Sequence, residues 1–198
     1  EEEPGEPTCG VQFIESTEAS GDTLTQRLRW SRENGEMETY EERRTIRLSR
    51  ASSDAFEWTW RSERESLREH RLIKSQWSGP AKDGRLINYH GRGIRLPWSW
   101  SFPMDGKRGA SADGESRTPP SEFHGTRAGA VSFWGTFDGK WDPDRGSVTF
   151  SQPHGFTHYV LDTPFPYLAS GPTNESELAV PAGERFEEVY TVRVEDLA

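Results

Sequence analysis

Three groups of residues have types and spacings that chemistry could use. The first is Pro153-His-Gly-Phe-Thr-His158, in which His154 and His158 stand four apart, with Glu122 and His124 upstream. Imidazoles and carboxylates gathered at one point bind divalent metals or move protons. On a helix this spacing would align both histidines, but Pro153 and Gly155 indicate loop and strand. On a strand the two share a face but lie about 13 Å apart by strand rise, too far for one metal unless Gly155 bends the chain. The alternative is a pair of ordinary polar or half-buried histidines. The second group is Asp138, Asp142 and Asp144 around Gly139 and Trp141. Paired carboxylates do general acid–base work when one keeps its proton. Beside Gly139 and Pro143 the same side chains also serve as turn formers that bond their own backbone. The third group is aromatic: Trp77, Trp98, Trp100, Trp134 and Trp141 can stack on sugar rings, with Arg92 or Arg95 bonding hydroxyls. Aromatic residues at strand period also build cores, and Trp98 and Trp100 are read that way. Trp77 and Trp141 sit beside turn residues and are better binding candidates. The candidate ligand-binding set is therefore Trp77, Arg92, Arg95, His124, Asp138, Trp141, His154 and His158. No triad, phosphate loop or metal motif accompanies it, so no cofactor and no metal is expected. Cys9 lies in a polar arm with no local base and is not read as a nucleophile.

These residues need elements to hold them. In Gly91–Phe102, Ile94, Leu96, Trp98, Trp100 and Phe102 recur at period two, the pattern of a strand with one buried face. Pro97 cannot donate to a ladder and predicts a bulge or an edge. Upstream, Val11–Glu15 reads as a short strand. Leu24, Leu28 and Trp30 alternate with polar residues, Asn34-Gly35 is a hairpin signal, and Tyr40, Ile46 and Leu48 mark a long return strand. Phe56, Trp58 and Trp60 form another alternating run, and the charged Ser62–Arg71 reads as a solvated face. Leu72, Ile73 and Trp77 lead to a loop at Ser78–Gly84. Met104–Glu122 is read as a mobile surface loop, and Asp162–Pro172, with its prolines, as an irregular crossing segment. Val131, Phe133, Val148, Phe150 and Phe156–Leu161 supply strands. A closing strand carries Phe186, Tyr190, Val192 and Val194. About ten strands and no convincing helix predict an all-β, antiparallel β-sandwich, alone or as part of a larger distorted one. Residues 1–10 are expected to form an acidic flexible arm and residues 11–198 a single domain with a mobile loop at 104–122.

Composition bounds the rest. Of 198 residues only 31% are hydrophobic, and the net charge is −9. A chain so polar needs its 8 Trp, 5 Tyr and 10 Phe to build a core, because each aromatic buries a large area. The acidic balance argues against nucleic acid, whose phosphates call for clustered Lys and Arg. No apolar run reaches the length of a membrane helix, and no signal peptide is visible. With one cysteine no intrachain disulfide forms. A soluble protein is expected, with a cytoplasmic location favoured over a secreted one, a sugar as possible ligand, and an oligomer or partner subunit as a further possibility.

The order of motifs resembles the bacterial PmoA-like family. The resemblance rests on the strand ending in Trp30, Asn34-Gly35, the Glu41-Glu-Arg-Arg44 strand, and Gly91-Arg-Gly-Ile-Arg-Leu-Pro97. Pro164-Phe-Pro-Tyr167 and Val180-Pro-Ala-Gly-Glu184 extend it over roughly Thr23 to Asp196. Members of that family are typically longer at the N-terminus, with a His-rich segment that this chain replaces by an acidic arm. The family's label, methane oxygenase, finds no membrane spans or metal-ligand spacing here. The resemblance implies a loose link to sugar-metabolising oxidoreductases and transfers no residue role. Two functions are expected on these grounds. One is a carbohydrate-related enzyme or enzyme subunit that binds a sugar or sugar derivative in a sandwich cleft. The other is a non-catalytic β-sandwich that binds a glycan or a partner protein.

Overall fold

The computed structural model describes residues 10–32, 37–75, 77–96, 100, 109–111, 120–136, 145–161 and 165–197. The expected acidic arm through Cys9, the turn at Asn34-Gly35, Pro97–Ser99 with Trp98, Phe102, most of the 104–122 loop and the Asp138–Asp144 carboxylates with Trp141 lie outside these residues. The described chain is all-β and antiparallel. Its strands are β1 (Val11–Ser20), β2 (Thr23–Arg32), β3 (Met37–Arg50), β4 (Ala55–Ser66), β5 (His70–Leu72), β6 (Ser78–Pro80), β7 (Leu86–Asn88) and β8 (Arg92–Arg95). They continue with β9 (Gly109–Ser111), β10 (Ala130–Thr136), β11 (Arg145–Ser151), β12 (His158–Leu161), β13 (Tyr167–Ser170), β14 (Leu178–Val180) and β15 (Arg185–Asp196). A 3-10 turn, Pro120–Phe123, precedes β10. The chain divides into two compact units.

The first unit holds Glu1–Arg47, Trp60–Arg71 and Ala179–Glu188. Its described strands follow the order β1–β2–β3–β4–β15. Gly21, with φ of 58°, turns β1 into β2, a left-handed conformation that suits glycine. In the β2–β3 pair Trp30 faces Tyr40, Leu28 faces Glu42 and Arg27 faces Arg43. One side of this ribbon is therefore Leu28, Trp30, Tyr40, Glu42 and Arg44, and it is mostly buried although two members are charged. The other side carries Arg27, Arg29, Glu41 and Arg43. The charged stretch after Trp60 differs from its expected role as a solvated face. β4 runs through it to Ser66, and Ser62 and Ser66 are buried.

The second unit holds Leu48–Thr59, Leu72–Leu178 and Val189–Ala198. It is a sandwich built on the three-stranded sheet β12–β13–β8, whose two faces are both covered. One face, with Val160, Leu168 and Ile94, packs on the sheet β15–β11–β10–β9 through Val131, Phe133, Phe150, Tyr190 and Val192. Trp100 joins this core and is 4% exposed. Its ring lies over Gly135, where an added Cβ would come within 2.4 Å of it. The opposite face, with Tyr159, Tyr167 and Ala169, packs against Ala81 and Ile87 of the β6–β7 region.

Three expectations are corrected here. The Gly91–Phe102 strand stops at Arg95, although Leu96 and Trp100 are buried as their spacing implied. Tyr167–Ser170, inside the supposed irregular segment, is the middle strand of the small sheet. Pro166 ends just before it, so no ladder donor is lost within the strand. Gly109–Ser111, inside the supposed loop, pairs with Ser132–Trp134 of β10. At the start of β4 the parity also differs, because Ala55 is buried while Phe56 is exposed under the Arg50 guanidinium.

Candidate functional site

The described histidines of the candidate set are placed by backbone bonds. His124 follows the 3-10 turn. The Val160 N–H donates to its Nδ1 at 3.1 Å, so the proton sits on Nε2, which donates to the Gly79 carbonyl at 3.1 Å. His124 lies against Gly79, where an added Cβ would meet its ring at 3.4 Å, an ordinary contact, and it meets Tyr159 edge-on at 5.1 Å. His154 stacks on Phe156 at 5.0 Å, and its Nε2 accepts the Val189 N–H at 2.8 Å. His158 is fully buried and donates from Nε2 to the Ala128 carbonyl at 2.6 Å. Burial pushes its pKa down, against a smaller upward pull from the Ala128 bond. The three rings thus serve different strands and do not converge. Glu122 turns away to pair with Lys82. Among the described residues no group of three or more His, Cys, Asp or Glu is placed to hold one metal ion.

The two arginines separate as well. Strand alternation puts Arg92 with Ile94 on the core side of β8, and Arg95 with Gly93 on the other. Arg95 faces Tyr167 across the ladder, and its guanidinium lies 4.0 Å above the Phe165 ring. From there an aromatic series continues. Phe165 meets Tyr167 edge-on at 6.5 Å, Tyr167 stacks on Tyr89 at 4.9 Å, and Tyr89 meets Tyr159 at 5.3 Å. Tyr167 crosses Gly93 so closely that a Cβ there would fall 2.2 Å from its hydroxyl. Burial first, and then the hydrogen bond with Tyr89, push the Tyr167 pKa far up. Burial does the same to Tyr159, with Tyr89 adding to it.

Trp77 makes no ring contact with this series among the described residues and is tied to it through the backbone. The β6–β7 ladder pairs Ser78 with Asn88 and Gly79 with Ile87. The Tyr89 N–H donates to the Trp77 carbonyl at 2.8 Å, which adds one more rung. Cross-strand partners share a face, so Trp77 stands on the Tyr89 side of the hairpin while remaining 66% exposed. The structure therefore puts Arg95 over Phe165 and Trp77 on the Tyr89 side of the hairpin, an aromatic surface where Trp77, Tyr89 and Phe165 reach solvent above the buried Tyr159 and Tyr167, and leaves Arg92, His124, His154 and His158 to the scaffold. Sequence reasoning missed Tyr89, Phe165 and Tyr167. The Pro-rich run around Phe165 concealed the strand that begins at Tyr167.

A second surface escaped the sequence entirely. In the first unit a groove of about 610 Å³ is lined by five arginines, Arg27, Arg29, Arg43 and Arg185 among them, by six glutamates, Glu41 among them, and by Leu28 and Phe186. Its charges are largely paired: Arg29 with Glu15 and Glu38, Arg185 with Glu65, Arg61 with Glu187. On the buried side of the same ribbon Glu42 accepts from Trp30 Nε1 at 2.7 Å, Ser62 Oγ at 2.8 Å, and Arg44 Nε and Nη2 at 3.0 Å. Burial raises its pKa, but these donors outweigh it and hold the carboxyl below its ordinary value. Arg44 also lies 4.7 Å over Trp60. Arg64 pairs with Glu188 and approaches Trp30 and Tyr40. Tyr40 bonds His70 Nε2 at 2.5 Å, and burial lifts its pKa to about 12. Every charge in this interior has a partner, the pattern of a scaffold.

The chain belongs to a family of unknown function (DUF6807), whose profile matches residues 7–198. This match corrects the PmoA-like resemblance, and nothing inferred from that resemblance carries over to the chain. Neither the search of curated proteins nor that of solved structures returned a match. No helix among the described residues is long and apolar enough to cross a membrane.

Proposed function

We propose that this DUF6807 member is a non-catalytic module that binds a neutral carbohydrate on the aromatic surface of its second unit. Trp77 carries the reading: a large aromatic residue, two-thirds exposed, stands outside both core clusters on the same side of the hairpin as Tyr89. A rigid aromatic face beside a hydrogen-bonding cation suits a sugar ring, which presents C–H groups on one side and hydroxyls at its rim. Arg95, laid over Phe165, supplies guanidinium donors at the far end. The enzymatic alternative draws less support, because His124, His154 and His158 spend ring nitrogens on backbone groups. The test is a titration of the protein with neutral gluco-, galacto- and mannooligosaccharides, followed by tryptophan fluorescence. A saturable change with one of them is the expected result. A flat response to all three would overturn the reading.

A further inference from the structure

We propose that the groove of the first unit binds a carboxylate-bearing sugar, its anionic group held between Arg27 and Arg43. The register places these two arginines directly opposite each other on β2 and β3. Directly opposed residues have Cβ atoms roughly 4.5–5.5 Å apart, and like charges there destabilise a sheet. The fold relieves the pair only weakly, through Arg43. Among the described residues Arg27 has no ion-pair or side-chain hydrogen-bond partner, and Arg43 reaches only Glu63, at 3.8 Å. Both are exposed on the groove wall. The neighbouring cations differ, since Arg29, Arg61 and Arg185 all have carboxylate partners.

Two guanidiniums side by side form a fork for a planar anion, which would remove their repulsion on binding. Glu41 lies on the same face, two residues from Arg43 and opposite the already paired Arg29. It too lacks an ion-pair or side-chain hydrogen-bond partner among the described residues. A carboxylate that accepts only is suited to donors, and sugar hydroxyls supply them. Phe186 contributes an apolar part of the wall. An anion to one side and hydroxyls to the other describe a uronate better than a simple inorganic anion. This proposal does not rest on the aromatic surface of the second unit.

The test is calorimetric titration of the full chain with galacturonate oligomers, with galactose oligomers and acetate as the neutral and sugar-free arms. Binding of the galacturonate oligomers that weakens as salt rises is expected, and any binding of galactose oligomers, at the aromatic surface, should be unaffected by Arg27→Gln. Arg27→Gln should lose at least tenfold in affinity while melting at the same or a higher temperature, since it removes a repulsion. Failure of the wild type to bind galacturonate oligomers would overturn the proposal. So would equal binding of acetate, an equal loss of galactose-oligomer binding in Arg27→Gln, or full affinity for the galacturonate oligomers in Arg27→Gln.

Discussion

Replacing Glu42 by alanine tests how the first unit is held together. The Glu42 side chain is fully buried on its ribbon, and its carboxylate takes four hydrogen bonds from Trp30, Ser62 and Arg44. Alanine removes the acceptor and leaves the donors in place. A buried neutral donor without a partner costs roughly 1–3 kcal/mol, and Trp30 and Ser62 each present one. Arg44 keeps the Gln12 side-chain Oε1, at 3.0 Å, and the Trp60 ring, but loses its counter-charge. Breaking a buried ion pair from one side typically costs about 3–5 kcal/mol, and that is the expected effect of Glu42→Ala. Set against the roughly 5–15 kcal/mol by which domains are stable, such a change approaches the limit of folding. Urea denaturation of Glu42→Ala, Arg44→Met and Glu42→Ala/Arg44→Met measures it. The double variant should cost clearly less than the sum of the two single changes, because it removes both charges together. A Glu42→Ala cost under about 1 kcal/mol, or strict additivity in the double variant, would refute the reasoning.

Two further outcomes follow from buried groups. His158 has a pKa below its ordinary 6.5, so as pH falls past that value the unfolded chain takes up a proton that the native chain refuses. Stability should therefore decline from pH 7.5 to 5.5 in thermal melts, and His158→Gln should flatten that decline. Glu42, with its depressed pKa, adds a separate loss only below its ordinary 4.5. Trp100→Ala should cost about 3–5 kcal/mol, the usual loss for a large buried aromatic; a urea midpoint close to that of the wild type would place Trp100 outside the core.

Much of the fold was legible because half-buried strands write their burial into every second residue. Val131 and Phe133 on β10, or Tyr190 and Val192 on β15, show it directly. β13 did not, for a physical reason. Tyr167, Leu168, Ala169 and Ser170 are all buried because each face of their sheet is covered, and a strand buried on both sides has no alternation to read. The flanking Pro166 and Pro172 then looked like a break. Glu41-Glu-Arg-Arg44 hid a different feature. Two of its four charges are buried and two exposed, and the sign that separates them is the parity Glu42 and Arg44 share with Tyr40. The candidate site was legible only at Trp77 and Arg95. A histidine spent on a backbone group, such as His154 on Val189, has the same letters as one free to react.

The most direct test of carbohydrate binding on the aromatic surface compares Trp77→Ala with the wild type in two assays on the same samples. Trp77 is exposed and outside both core clusters, so its removal should leave the melting temperature within a few degrees. Binding of the neutral oligosaccharide selected by the wild type should fall at least tenfold, the loss of about 1.4 kcal/mol or more. Undiminished binding by a stable Trp77→Ala protein would contradict the account.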